Sequence, residues 1–142
     1  GQVLVIDAGG YREAAMIGDI LSGHLHAKGV AGLICDGAVR DVGTLGGWDD
    51  FPVFARWINP RGPTGADRGA INLRVTVGGA SVAPGDLVIG DDDGLVSLSP
   101  VQVRTLIADA EAKLARETAW TEALAAGKSA AEVFGLATPI RG

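Results

Sequence analysis

Two apolar runs, Val3-Leu4-Val5-Ile6 and Val30–Cys35, stand one helix length apart near the start of this chain. Runs this short read as buried strands rather than helices. Between them Ile17, Leu21, Leu25 and Lys28 follow helical spacing, and Gly29 stands where a C′ glycine ends a helix. A strand, a helix and a strand in that order leave few folds open. The two strands pair in parallel through a right-handed crossover, so both point the same way. Asp7-Ala8-Gly9-Gly10 predicts a turn after the first strand, and Asp36–Asp41 a loop leaving the second. Pro52–Arg56 adds a short strand and Arg61–Gly69 a Gly/Pro/Arg loop.

From Ile71 the pattern changes. Ile71, Leu73, Val75 and Val77 alternate with Asn72, Arg74 and Thr76, as in a half-buried antiparallel strand. Pro84-Gly85 marks a turn, and Leu87–Ile89 and Leu95–Leu98 flank an Asp-Gly corner. The middle of the chain therefore reads as a β-meander. The tail reads as helix. Ser99 suits the N-cap, Pro100 suits N1, and Val103, Leu106, Ala110, Leu114 and Leu124 form an apolar stripe. Gly127 ends it, and Ser129 with Glu132 makes a capping box for a last short helix. The expected division is residues 1–98 as the sheet domain and 99–142 as a helical extension packing on it or on a neighbouring subunit.

A length of 142 residues suits one domain, and 22 glycines without a period imply many tight turns rather than collagen. The chain enters a strand at once. Part of the natural domain is therefore expected to precede Gly1. Twelve basic against 17 acidic residues give a net charge of −5, with no Lys/Arg cluster, which argues against nucleic acid as a partner. No apolar run approaches the ~18–20 residues of a membrane span. The single Cys35 lies in a strand pattern and reads as a buried reduced thiol in a cytoplasmic protein.

Several groups of residues invite chemistry. Asp91-Asp92-Asp93-Gly94 lacks the alternating ligands of a calcium loop and reads as a solvated turn. His24 and His26 are two apart on a helix and do not share a face, so they do not chelate one metal. No G-x-S-x-G elbow supports a serine nucleophile. Val3–Gly10 imitates the opening of a nucleotide or methyl-donor site, but the third glycine and the distal acid are not in place. The strongest constellation is Asp19 with Arg40-Asp41. A β-α-β crossover brings the start of the helix and the end of the next strand to one sheet edge. Two carboxylates and a guanidinium would then converge beside a helix N-terminus. Carboxylates suit Mg²⁺, the guanidinium fork suits a substrate carboxylate, and the free N–H groups of Gly18–Leu21 suit a second anionic group. The same residues would equally serve as an ion pair that fixes a loop.

These residues carry a resemblance. Gly18-Asp19-Ile20-Leu21, Gly29-Val30-Ala31-Gly32-Leu33-Ile34 and Asp36-Gly37-Ala38-Val39-Arg40-Asp41 resemble the RraA-like family. They are most similar to its branch of 4-hydroxy-4-methyl-2-oxoglutarate/4-carboxy-4-hydroxy-2-oxoadipate aldolases, in which an Asp precedes Arg-Asp by the spacing seen here. Phe51–Arg56, Asn59-Pro60-Arg61-Gly62, Val82–Asp86 and Asp91–Val96 continue the match in order. The resemblance implies an α/β fold of the layered β/β/α swivelling, phosphohistidine-domain type. It implies a homotrimer or hexamer. It also implies a metal-dependent aldolase using Mg²⁺, Mn²⁺ or another divalent cation. Asp41 would ligate the metal directly and Asp19 through water. Arg40 would contact substrate and enolate, and the Gly18, Asp19, Ile20 and Leu21 backbone would take the pyruvyl carboxylate of a keto-acid substrate. Oxaloacetate decarboxylation would accompany cleavage. Lys28, Lys113 and Lys128 lie away from this site, in keeping with a route that needs no Schiff base. The family domain has a further section before its first strand here. Ser22, Gly23 and His24 replace small apolar residues common in the family, which bears on substrate preference. Some relatives are instead regulators that bind and inhibit an RNA-degrading enzyme, and Asp41 favours the enzyme.

Overall fold

The computed structural model describes residues 1–65, 68–137 and 140. It divides into two compact units, Gly1–Ser99 and the segment from Pro100 onward. The first unit is built on a three-stranded parallel sheet, in the order β1 (Gln2–Ile17), β2 (Val30–Val39), β3 (Val53–Ile58). Helix α1 (Asp19–Ala27) joins β1 to β2, and Gly29 follows it at φ +82°. A one-turn helix, α2 (Val42–Leu45), follows β2.

β1 does not stop at Asp7. Gly9 and Gly10, at φ +59° and +74°, let the strand bulge, and it rejoins β2 at Tyr11, Ala15 and Ile17. The turn expected at Asp7–Gly10 is thus an irregularity inside a strand, with no helix behind it. The strand-glycine-helix unit of a nucleotide site is not formed. Ile17 ends β1 rather than opening the helix.

β2 likewise runs on through Asp36–Val39, where a loop was expected. It is buried continuously from Gly32 to Val39, as a central parallel strand is when both faces are covered. Asp36 hides the continuation in the sequence, because a carboxylate is costly to bury unless paired. Arg56 Nη1 lies 3.1 Å from Asp36 Oδ1 and supplies the charge. Phe51 and Leu33 are fully buried at the centre of the core, with Ile17, Cys35 and Val39. The Cys35 thiol is pushed up to about 11 by burial and then by the neighbouring Asp36 charge, so it stays protonated and inert. His26 packs its ring against Trp48 and Phe51 and places Nε2 3.2 Å from Asp50 Oδ2.

The expected meander resolves into two separate hairpins. β4 (Val75–Val77) pairs with β5 (Ala80–Val82) around Gly78-Gly79, both at positive φ, as a two-residue hairpin turn requires. β6 (Leu87–Asp91) pairs with β7 (Gly94–Leu98). Ile71 and Leu73 lie outside any strand and are 86% and 60% exposed, so the period-2 pattern there is only half realised. Asp91 Oδ1 accepts from the Asp93 and Gly94 N–H groups, so the acidic run is a turn.

In the second unit α3 (Pro100–Ala125) leads through Gly127 to α4 (Ala130–Phe134). The Ser129–Glu132 capping box is present, and Trp120 meets Phe134 edge-on at 5.3 Å. The apolar stripe of α3 is not buried. Leu106 and Leu114 are 43% and 65% exposed. Among the described residues no helix is long and apolar enough to cross a membrane.

Candidate functional site

Three chain segments meet at the carboxyl edge of the parallel sheet. They are the β1–α1 junction, the β2–α2 junction and the turn after β3. Ligands of open parallel sheets bind at this edge.

The β2–α2 junction delivers Arg40 and Asp41. The Arg40 N–H donates to Ile17 O at 3.1 Å, which locks the strand end beside α1. Asp41 then adopts φ 58°, ψ 34°, a left-handed conformation that Asp tolerates better than most residues. Its carbonyl accepts from the Thr44 and Leu45 N–H groups and starts α2. Its side chain turns back to α1. The Asp19 N–H donates to Asp41 Oδ2 at 3.2 Å, and Arg40 Nε lies 3.3 Å from the same oxygen.

Asp41 thus caps α1 from outside, since Gly18 at the N-cap has no side chain to do so. Of the orphan N–H groups in the first turn, Asp19's is taken. Those of Ile20 and Leu21 have no intrahelical partner and are aligned with the positive end of the helix dipole. Ile20 and Leu21 are 81% and 51% exposed as residues. Gly18 is required by close approach. A Cβ there would collide with Asp41 Oδ2 and lie 2.8 Å from both Cγ and Nε of Arg40.

The structure therefore brings Gly18, Asp19, Ile20, Leu21, Arg40 and Asp41 to one place. His24, His26 and Asp91–Asp93 take no part in the arrangement just described. Ser22 is fully buried, and a Cβ on Gly23 would meet Trp48 at 3.5 Å. The third segment was not expected to contribute. Gly62 abuts Arg40, so that a Cβ there would lie 2.7 Å from Nη1. The Asn59 N–H donates to Val39 O at 3.0 Å, tying the turn after β3 to the end of β2. The available signal was an Asn-Pro-Arg-Gly turn directly after a strand that pairs with β2.

Carboxylates are the side chains at this edge that could hold a metal ion. Among the described residues no three His, Cys, Asp or Glu side chains are grouped to hold an ion. Asp41, with Asp19 next to it in the fold, could hold a hard ion such as Mg²⁺, which keeps several waters and takes one or two protein oxygens. Asp41 is 37% exposed at its side chain, so water reaches it.

Fold and site together define a parallel α/β domain with an Arg-carboxylate pair under a helix N-terminus. The chain belongs to the RraA-like family, whose model, described as Aldolase/RraA, matches residues 1–97. It is 34% identical over 124 residues to a protein of Halalkalibacterium halodurans named "Putative 4-hydroxy-4-methyl-2-oxoglutarate aldolase", a match that covers 87% of this chain and 59% of that one. It is similar in structure to an uncharacterized protein from Pseudomonas syringae pv. tomato, with a TM-score of 0.83 and 25% identity over 94% of this chain and 66% of the other. It is also similar to the RNA-processing inhibitor RraA from Thermus thermophilis, with a TM-score of 0.64 and 34% identity over 69% of this chain and 59% of the other. The chain thus spans under two thirds of these relatives' lengths. The α/β fold with a C-terminal helix is that of the RraA family.

Proposed function

We propose that this chain carries the site of a divalent-metal-dependent aldolase that cleaves 4-hydroxy-2-oxo diacids to pyruvate and a second keto acid. The observation that carries the reading is Asp41, held in a left-handed conformation with its carboxylate between the Asp19 amide and Arg40. A loop ion pair alone does not need that backbone conformation. The 34% identical relative named as an aldolase supports the same reading.

In this scheme Asp41 and Asp19 would hold the metal. When bound, Mg²⁺ supplies Lewis-acid polarisation of the substrate's 2-keto oxygen. The Ile20 and Leu21 amides bind the pyruvyl carboxylate and orient the molecule. A water held by Asp19 or Arg40 relays the proton of the C4 hydroxyl to the Asp19 carboxylate. The C4–O pair becomes a carbonyl as the C3–C4 bond breaks, and its electrons move onto the pyruvyl fragment as an enolate. Arg40 faces that developing negative charge, an electrostatic role in which one donor is worth about 3–4 kcal/mol in comparable sites. Protonation at C3 yields pyruvate. Oxaloacetate decarboxylation passes through the same enolate and is proposed as a side activity. The functional assembly is proposed to be a homotrimer or hexamer.

The test is pyruvate release from a panel of 4-hydroxy-2-oxo diacids and from oxaloacetate, with Mg²⁺ or Mn²⁺. A chelator should abolish it, and Asp41→Ala should lower the metal-dependent rate at least 100-fold. An unchanged rate in Asp41→Ala overturns the assignment. The second reading is a non-catalytic regulator that inhibits an RNA-degrading enzyme, favoured by the likeness to the Thermus inhibitor. Failure to bind Mg²⁺ or Mn²⁺, together with inhibition of such an enzyme, would select it.

A further inference from the structure

We infer that Arg61 is a specificity-determining residue, whose guanidinium takes the distal carboxylate of a dianionic substrate bound at Arg40 and Asp41. This deepens the proposed aldolase reading and rests on it for the identity of the substrate.

Its position is fixed. Asn59 Nδ2 donates to Arg12 O at 2.8 Å, and Asn59 Oδ1 accepts the Arg61 N–H at 2.9 Å. The Ala15 N–H donates to Arg61 O at 2.8 Å. The backbone of Arg61 is thus bonded on both sides, to β1 and to its own turn, and the side chain is left out of that framework. Its neighbour Gly62 abuts the Arg40 guanidinium, and consecutive Cα atoms are about 3.8 Å apart. Arg61 therefore starts within one residue of Arg40's charged end, on a stem long enough to share a ligand with it.

Three of the arginines near this edge meet a carboxylate. Arg12 Nε lies 3.5 Å from Glu13 Oε1, and its guanidinium stands over the Trp57 ring at 5.9 Å. Arg56 lies 3.1 Å from Asp36. Arg40 shares Asp41 with the Asp19 amide. Arg61 is exposed and has no acidic partner among the described residues. An exposed guanidinium with no acidic partner among the described residues, beginning one residue from the Arg40 contact, is open to an anionic ligand. One carboxylate is provided for by the α1 amides and Arg40. A second carboxylate on the same molecule would give Arg61 the planar, bidentate partner its fork suits.

The experiment compares a diacid with its monoacid counterpart. In the full chain with Mg²⁺, kcat/KM is measured for 4-hydroxy-4-methyl-2-oxoglutarate and for 4-hydroxy-2-oxopentanoate, which lacks the distal carboxylate. Arg61→Gln should lower the diacid-to-monoacid preference at least tenfold, and Arg61→Lys should restore part of it. An unchanged preference overturns the proposal. Calorimetry with 2-oxoglutarate and pyruvate, neither of which can be cleaved, provides an arm independent of turnover. Arg61→Gln should weaken 2-oxoglutarate at least tenfold more than pyruvate. Equal losses for both ligands, or a wild-type protein that binds 2-oxoglutarate no tighter than pyruvate, overturn it. Absence of pyruvate release from every substrate would sink the aldolase reading alone, because the binding arm still reports on Arg61.

Discussion

Gly18 has room for a hydrogen and nothing larger. Its φ of −139° is open to alanine, so a substitution there acts through contact and not through backbone strain. The methyl group of Gly18→Ala would collide with Asp41 Oδ2 and crowd Arg40, displacing the two side chains that carry the proposed chemistry. Overpacking of this kind costs about 1–3 kcal/mol. The expected outcome is a 10- to 100-fold loss of metal-dependent kcat/KM, with far-ultraviolet circular dichroism retained. Gly29→Ala is the matched control. Gly29 has open space around it but φ +82°, so alanine should cost about 1 kcal/mol of stability by denaturant titration and leave kcat/KM within twofold. If both variants lose activity alike, the crowding at Gly18 is not the cause. The convergence of Asp19, Arg40 and Asp41 was legible in the sequence because a β-α-β unit fixes which ends share an edge. Gly62 and Arg61 were not, because nothing in their spacing says that the turn after β3 folds back onto β2.

At the scale of elements, Asp7 clamps the parallel sheet to the first hairpin. The Thr76 N–H in β4 donates to Asp7 Oδ2 at 3.1 Å, and the Gly9 N–H donates to Asp7 Oδ1 at 2.9 Å. These two donors, Thr76 first, hold the carboxyl below the usual carboxylate range. A lowered pKa means the folded state favours the ionised form. The contribution of Asp7 is therefore complete above the ordinary carboxylate value and fades as pH falls through the lowered one. Amide exchange at Thr76 should accelerate at acid pH before exchange in the β2 core does, and Asp7→Ala should bring the same acceleration at neutral pH. Unaltered Thr76 exchange in Asp7→Ala would remove the clamp. The same residue explains a misread boundary. Asp7 followed by Ala8-Gly9-Gly10 has the chemistry of a turn, and only pairing with β2 keeps the bulged segment in the strand. Asp36 misleads in the same way, since its partner Arg56 is 20 residues distant and invisible to a local pattern. Gly29 and the Ser129–Glu132 box were readable because a helix end is settled within a few residues.

At the scale of the whole molecule, the exposed apolar side chains are the unspent quantity. Within the first unit Ile58, Ile71 and Leu73 are 69%, 86% and 60% exposed, while the buried core is the short cluster around Phe51 and Leu33. Scattered exposed residues are ordinary, but here large aliphatic groups on non-helical backbone remain open beside a small core. Association of copies would cover them and matches the trimer or hexamer proposed above. Sedimentation equilibrium should return a multiple of the 14.4 kDa chain mass. Burying one such side chain contributes about 1.5–3 kcal/mol, so the pair Ile71→Gln with Leu73→Gln should weaken assembly at least tenfold. Both residues lie outside strands and helices and outside the core cluster, so the double variant should keep its circular dichroism spectrum. A chain that sediments as a monomer across the micromolar range would refute the oligomer. A double variant that assembles as well as the parent would instead move the interface away from residues 71–73, toward other exposed apolar positions such as Ile58.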